Sequence, residues 1–497
     1  MKMLKKSLMV FVIQLMLITA IFSWGGDFEY KLGYNYESDD IDLFQTINTD
    51  VFFDAQTDFG YFYTDLTGSF FRGITMDATS FISNPLLTSA KKNDGFLPTY
   101  ASLAMGEDRF LMNLNELYYE YAFLKFGLKL GRFKLQQGSG NLYSPSDLLS
   151  SRTIFGIDST PSKGSVDGIL FQGFFRNFDM ELFFSPFTKM SFPTSNTMIS
   201  TMEKNYYLQG YAASIIAAME SPAPAVVPVD FDYQFQQDYP LDYHSSNYGV
   251  RFGFTWYDIL WKLSYYRDHF HFQVPEKIVQ DYTRLSTVTT LDNGQTLPAS
   301  SLIYETTVNL VIPSRHSFTA DLQGSLNDST IYYAEGSLLF PEDIQTVLRF
   351  HYPKYHYATT THQPVFDKSL IFKGLAGLEY SGQLTGLGFK EDEMTVGAEV
   401  FNSLPEEFFS FSPGFDIFLR VNKGNFDFEG MGILAFTEID DEYKPGTTVT
   451  GRLVYKGLDL MDVIVEGSWS HSKAEDHPFY MQKELLNKLS VGVEAFF

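Results

Sequence analysis

Between Leu486 and Phe497 the chain reads LNKLSVGVEAFF. In extended backbone Leu489, Val491, Val493, Ala495 and Phe497 fall on one face, and Lys488, Ser490, Gly492, Glu494 and Phe496 on the other. The same period of two recurs along the chain. DFEYKLGYNYES sets Phe28, Tyr30, Leu32, Tyr34 and Tyr36 against Glu29, Lys31, Gly33, Asn35 and Glu37. NYGVRFGFTWYD sets Tyr248, Val250, Phe252, Phe254 and Trp256 against Gly249, Arg251, Gly253 and Thr255. Alternation of this kind predicts β-strands with one apolar face.

About 20 segments carry the pattern: 27–37, 43–55, 59–72, 112–123, 125–136, 165–176, 178–187, 247–257, 259–272, 302–312, 315–327, 329–340, 346–358, 369–382, 393–403, 413–422, 425–437, 446–456, 459–471 and 485–497. The weakest are 346–358, interrupted by Pro353, and 393–403; without them the count is 18. Most are about 9 to 13 residues long, enough to cross a bilayer at a tilt. Tight links at 57–60, 176–178, 256–259, 313–315, 423–425 and 456–459 alternate with long ones near 73–111, 138–164, 188–246 and 273–300. A soluble sandwich also alternates along each strand, but it does not call for short links at one end and long links at the other. A transmembrane barrel calls for both, with aromatic girdles at its two rims. No repeat of 20–50 residues points to a solenoid. The expected fold is all-β: an antiparallel up-and-down transmembrane barrel of about 18–20 strands, with long outer loops and short inner turns.

Composition sharpens this picture. The 31 Tyr and 49 Phe make the chain unusually aromatic, yet its mean hydropathy lies slightly below zero, unlike a helical membrane protein. Cysteine is absent, which removes disulfides, thiolate metal sites and cysteine nucleophiles. The first segment has Lys2, Lys5 and Lys6, an apolar run from Ser7 to Phe22, and small residues at Ser23, Gly25 and Gly26. This is the layout of a secretory signal peptide, expected to occupy 1–25 and to be removed, leaving 26–497 as one barrel. A formal net charge of −24 argues against nucleic acid as a partner.

The signal peptide, the alternating strands, the lack of cysteine and the terminal Phe497 resemble a Gram-negative outer-membrane β-barrel of the porin type. The resemblance implies an outer-membrane location, lipid around the barrel, and recognition by the barrel assembly machinery through Leu489, Val491, Val493, Ala495 and Phe497. A narrower stretch, 116–151, is similar to a segment of large porin-like and polysaccharide-export barrels at Gly131, Arg132, Gly138, Pro145 and Asp147.

A channel needs a wet lumen with charge at its constriction. The inward phase of the strands supplies candidate selectivity residues: Glu29, Glu116, Glu120, Asp179, Glu181, Arg251, Lys262, Asp321, Asp462 and Glu466. Acids outnumber bases among them, so a mild preference for cations is expected. The segment 210–231, GYAASIIAAMESPAPAVVPVDF, is too apolar for a solvated loop. It is expected to form a short helix over 211–220 followed by an extended Pro-rich run. Within 188–246 it either folds into the lumen as a constriction or gate, or packs over the mouth or into a neighbouring subunit. His269 and His271 share a face, but the histidines sit among tyrosines at strand ends and give no converging metal site. G-x-S-x-G, H-E-x-x-H and phosphate-loop motifs are all missing, and neither an enzyme nor a cofactor is expected. The resulting expectation is passive passage of small hydrophilic solutes. The alternatives are a substrate-specific uptake or export barrel gated by 188–246, and a closed-barrel surface adhesin. The sequence leaves the oligomeric state open.

Overall fold

In a computed structural model the described residues are 23–35, 42–57, 59–72, 100–105, 108–135, 137–141, 144–149, 152–153, 162–186, 226–235, 246–270, 274–290, 296–299, 301–351, 360–366, 370–383, 393–403, 412–439, 442–474, 477–481 and 487–497. One antiparallel sheet, to which Tyr100–Met105 is added by pairing with Asp108–Asn113, has eighteen strands that close into a ring. They are β1 (Ser23–Asn35), β2 (Asp42–Thr57), β3 (Gly60–Arg72), β4 (Asp108–Phe123), β5 (Phe126–Phe133), β6 (Val166–Phe174), β7 (Phe178–Ser185), β8 (Asn247–Trp256), β9 (Ile259–His269), β10 (Ser314–Asn327), β11 (Thr330–Pro341), β12 (Ile371–Gln383), β13 (Glu393–Phe401), β14 (Gly414–Lys423), β15 (Phe426–Ile439), β16 (Glu442–Leu458), β17 (Met461–Ser472) and β18 (Lys488–Phe496). Each pairs with the next, and β1 closes the ring on β18 from Asp27↔Phe496 to Asn35↔Lys488. Closure leaves no unpaired edge, the condition for a sheet to lie in hydrocarbon.

The alternation has a direction. Leu489 and Val491 are about half exposed on the outside of β18, while Lys488, Ser490 and Gly492 are buried on the inside. Phe318, Leu338, Phe372, Ile417 and Val449 continue the outer apolar belt around the barrel. A polar inner face with an apolar outer one is the inverse of a soluble fold.

Most short connections behave as read from the sequence. At 257–258 both Tyr257 (φ 50°) and Asp258 (φ 60°) are left-handed, as a two-residue hairpin turn matched to strand twist requires. Two segments do not belong to the wall. Residues 302–312 and 346–358 were expected as barrel strands. Instead Leu302–Val311 and Ile344–His351 lie in a separate five-stranded sheet with Val226–Phe235, Val274–Arg284 and Thr360–Phe366, all contributed by long connections. Segment 393–403, one of the two weakest, is the wall strand β13. The link at 313–315 therefore joins a loop strand to β10 on the long-loop side, and is not a short turn of the barrel.

Residues 1–22, with most of the expected signal peptide, lie outside the described residues, as do the expected helix at 211–220 and most of 188–246. Of the latter, Val226–Phe235 runs parallel to Leu302–Val311 in the second sheet.

Between β17 and β18 a short helix, α1 (Pro478–Met481), seats Phe479 in an apolar cluster with Tyr333, Leu375, Phe401, Ile433 and Ala435. Beside it His477 is fully buried, and the Phe479 N–H donates to its Nδ1 at 3.1 Å. Burial pushes the imidazole pKa down from 6.5 to about 4. The folded segment therefore holds His477 neutral, whereas the detached segment takes up a proton below 6.5. Its contribution to stability is complete above 6.5 and declines as pH falls towards 4, with no further loss below. Amide exchange of residues 477–481 should accelerate, beyond the intrinsic pH effect, on acidification through this window. His477→Gln, which keeps an acceptor for Phe479 N–H, should flatten that response.

Candidate functional site

The loop after β5 turns into the barrel. Arg132, at its root, forks onto Asp167 of β6 at 2.5 and 2.7 Å and donates to the Leu114 carbonyl at 3.1 Å. Beyond it, Leu135, Leu148 and Leu149 pack with Phe133 against Val166, Leu170, Phe183, Tyr266, Phe270 and Leu339. Gln137 donates to the Tyr266 hydroxyl at 2.7 Å. Pro145 sits at the second position of a turn closed by Asp147 N–H onto Ser144 O at 3.0 Å. Thus an apolar face of the loop is buried against the inner wall of β5–β7, β9 and β11.

The loop tip is held by carboxylates. Glu335, on the inner face of β11, accepts from Gly140 N–H at 2.6 Å, Ser146 Oγ at 2.7 Å and Ser146 N–H at 3.3 Å, and also from Ser139 N–H and Ser144 Oγ. Asp321 on β10 accepts from Ser139 Oγ at 3.1 Å. Glu399 on β13 accepts from Asn141 N–H at 2.6 Å and Tyr333 Oη at 2.5 Å. The Asn141 side chain donates to Tyr333 Oη at 3.1 Å and Glu379 at 3.3 Å, and accepts from Arg420 at 3.4 Å. Gly138 (φ 79°) permits the turn; a Cβ there would collide with Ser144 Oγ and the Glu335 carboxylate. The loop thereby reaches from β5 to the wall at β10–β14.

The residues expected in the lumen sit on the inner face in several groups. Glu29 binds Lys31 at 2.7 Å, and Lys31 reaches Glu466 at 3.1 Å. Asp462 lies nearby, opposite Glu494 in register. Glu181 binds Arg251 at 2.7 Å, with Asp179 two residues away on the same face. Glu120 binds Lys129 at 2.9 Å, and Glu116 accepts from Lys134 N–H at 2.9 Å. Lys262 lies opposite Asp321 in register. Of the ten, Asp321 touches the loop, and Glu116 binds at its root. Outside this set, His269 is buried against Asn247 at 2.7 Å, and His351 is exposed with Asp281 at 3.5 Å.

Sequence reasoning did not single out Glu335, Tyr333, Glu379 or Glu399, and it looked for the constriction in 188–246, most of which lies outside the described residues. The strands of those four were recognised; the overlooked signal is a lone carboxylate in the inward phase of an otherwise apolar strand, as in YYAEGSLLF and VGAEVF.

These features define a closed transmembrane β-barrel whose lumen is narrowed by an inward-folded loop. No known family profile matches the chain, and no curated protein is significantly similar to it. Among solved structures, it is similar to OccAB3 of Acinetobacter baumannii, with 9% identity, 96% of this chain and 99% of that chain covered, and a TM-score of 0.45. It is similar to OprD of Pseudomonas aeruginosa, with 9% identity, 96% and 95% covered, and a TM-score of 0.41. It is also similar to OccK2 of Pseudomonas aeruginosa, solved with glucuronate, with 6% identity, 96% and 97% covered, and a TM-score of 0.44.

Proposed function

We propose that the protein is an outer-membrane channel for passive diffusion of small hydrophilic solutes, weakly favouring cations. The observation that carries this reading is the charge balance of the inner wall. Lys31, Lys129 and Arg251 each sit against a carboxylate. Glu335 is bound instead by neutral N–H and O–H groups, so its charge is dispersed but not cancelled. A negative constriction raises the local cation concentration. Glu29, Glu116, Glu120, Asp179, Glu181, Asp321, Asp462 and Glu466 add negative field along the path, which Arg251 and Lys262 partly offset.

The clasped loop favours a narrow, selective passage over a wide pore, so a substrate-specific barrel is the second reading, with 134–149 as a constriction beside the gate expected in 188–246. On the lipid side of β18, Leu489, Val491, Val493, Ala495 and Phe497 serve as the address for barrel assembly in this reading.

Single-channel current of the refolded protein under a KCl gradient tests the proposal. The expected result is discrete steps with a reversal potential of the sign for K+ over Cl−. Steps with the opposite sign would overturn the cation preference. A folded but silent barrel would overturn the open channel and favour a closed adhesin-like barrel.

A further inference from the structure

Glu399 and Asp416 face each other directly across β13 and β14, on the inner wall, and both are 0% exposed. Directly opposite residues of an antiparallel pair hold their Cβ atoms about 4.5–5.5 Å apart, so the two carboxyl groups are close neighbours. Neither oxygen of Asp416 receives a hydrogen bond from any donor among the described residues. Its other neighbour in register is Ile433 of β15, part of an apolar cluster. Two bare carboxylates cannot be held together in such surroundings: buried charges are paired, ligated or neutralised.

Among the described residues, the charged and titratable groups around the pair supply no cation for Asp416. From β11, Tyr333 gives its hydroxyl to Glu399, and Glu335 holds the loop. From β12, Glu379 takes the Asn141 amide, while Lys373 lies farther along the strand, opposite Ser337. On β14, Arg420 is directed to Asn141 at 3.4 Å and to Glu429 of β15 at 3.8 Å.

We propose that Glu399 and Asp416 form a proton-binding site that latches the tip of the inner loop. One proton held between the two carboxyls gives an O–H···O⁻ pair of charge −1 and supplies the donor that Asp416 lacks. Glu399 then remains on the wall, where it accepts from Asn141 N–H and Tyr333 Oη. Transfer of that proton to a base in the lumen water leaves charge −2 in a buried, partly apolar site. Repulsion is relieved when Glu399 turns towards water, and the Asn141 contact is lost with it. The loop tip loosens, and the passage widens as pH rises. The widening rests on the channel reading above; the proton site does not.

Two measurements on the full-length folded protein separate these. Infrared difference spectra between mildly acidic and mildly alkaline buffer should show a protonated-carboxyl band that is lost on the alkaline side and is missing from Asp416→Asn. Single-channel conductance of the wild type should increase over the same interval. Asp416→Asn donates permanently to Glu399, and its conductance should stay low and lose the pH response. Heat-modifiable mobility in gels verifies that the variant has folded. A wild type without the band, or a variant that retains it, overturns the proton site even if the barrel is silent. A conducting wild type whose conductance ignores pH, or responds to chelator instead, overturns the latch and leaves the channel reading standing.

Discussion

Glu335→Ala is expected to raise single-channel conductance more than neutralising any other wall carboxylate. Glu335 alone accepts from two backbone N–H groups of the loop tip, from the Ser146 N–H and from two serine hydroxyls. Hydrogen bonds to a charged group contribute about 1.5–3 kcal/mol each when one partner is removed, and several are lost together. Glu335, Ser144 and Ser146 are buried, so the deserted donors stay unpaired until the loop tip moves off the wall to water, and the cost falls on loop position and not on the barrel. Folded yield should therefore be unchanged, while conductance and open-channel noise both rise. Glu335→Gln, which keeps an acceptor oxygen, should fall between the two. Conductance equal to wild type in the alanine variant would mean that the apolar contacts of Leu148 and Leu149 hold the loop without the clasp.

Val491→Arg is expected to damage the barrel itself. Val491 is 52% exposed on the outer face of β18, and its partners in register are Leu32 on one side and Val465 on the other. An arginine on the lipid face near the bilayer midplane costs about 2–4 kcal/mol. The neighbouring Ser490 faces inward and donates to Glu466 at 3.2 Å. Ser490→Asn should therefore leave folded yield near wild type. Urea titration in lipid vesicles, followed by heat-modifiable mobility, measures both variants. Equal stability of the two would contradict the assignment of lipid and lumen faces.

The wall of the barrel was legible because lipid and water impose opposite demands on successive residues, and every wall strand carries that demand in its sequence. The loop sheet was less legible for the same reason. Leu302, Tyr304, Thr306 and Val308 are buried while Glu305 is exposed, so Leu302–Val311 alternates just as a wall strand does. Period reports a strand with two unlike faces, not the sheet it joins. The constriction was harder still. Glu335 and Ser146 are 189 residues apart, and nothing local in either segment announces the other. The apolar stretch 210–231 drew attention because it looked wrong for solvent. The loop at 134–149 looked ordinary, since polar residues and glycines run through it between scattered leucines.

The seam between β1 and β18 also bears on how the molecule can be made. Its register joins Asp27 to Phe496 and Asn35 to Lys488, the largest sequence separation of any pairing in the wall. All other wall strands can zip to a chain neighbour, so growth of the sheet is a series of local hairpin steps. The final step has no local counterpart and bears nearly the full loop-closure entropy of the chain. Until it occurs, two strand edges carry unsatisfied backbone groups that hydrocarbon cannot solvate. The rate at which this barrel matures should therefore be governed by how long those two edges are kept apart, shielded and aligned, and only weakly by the stability of the hairpins between them.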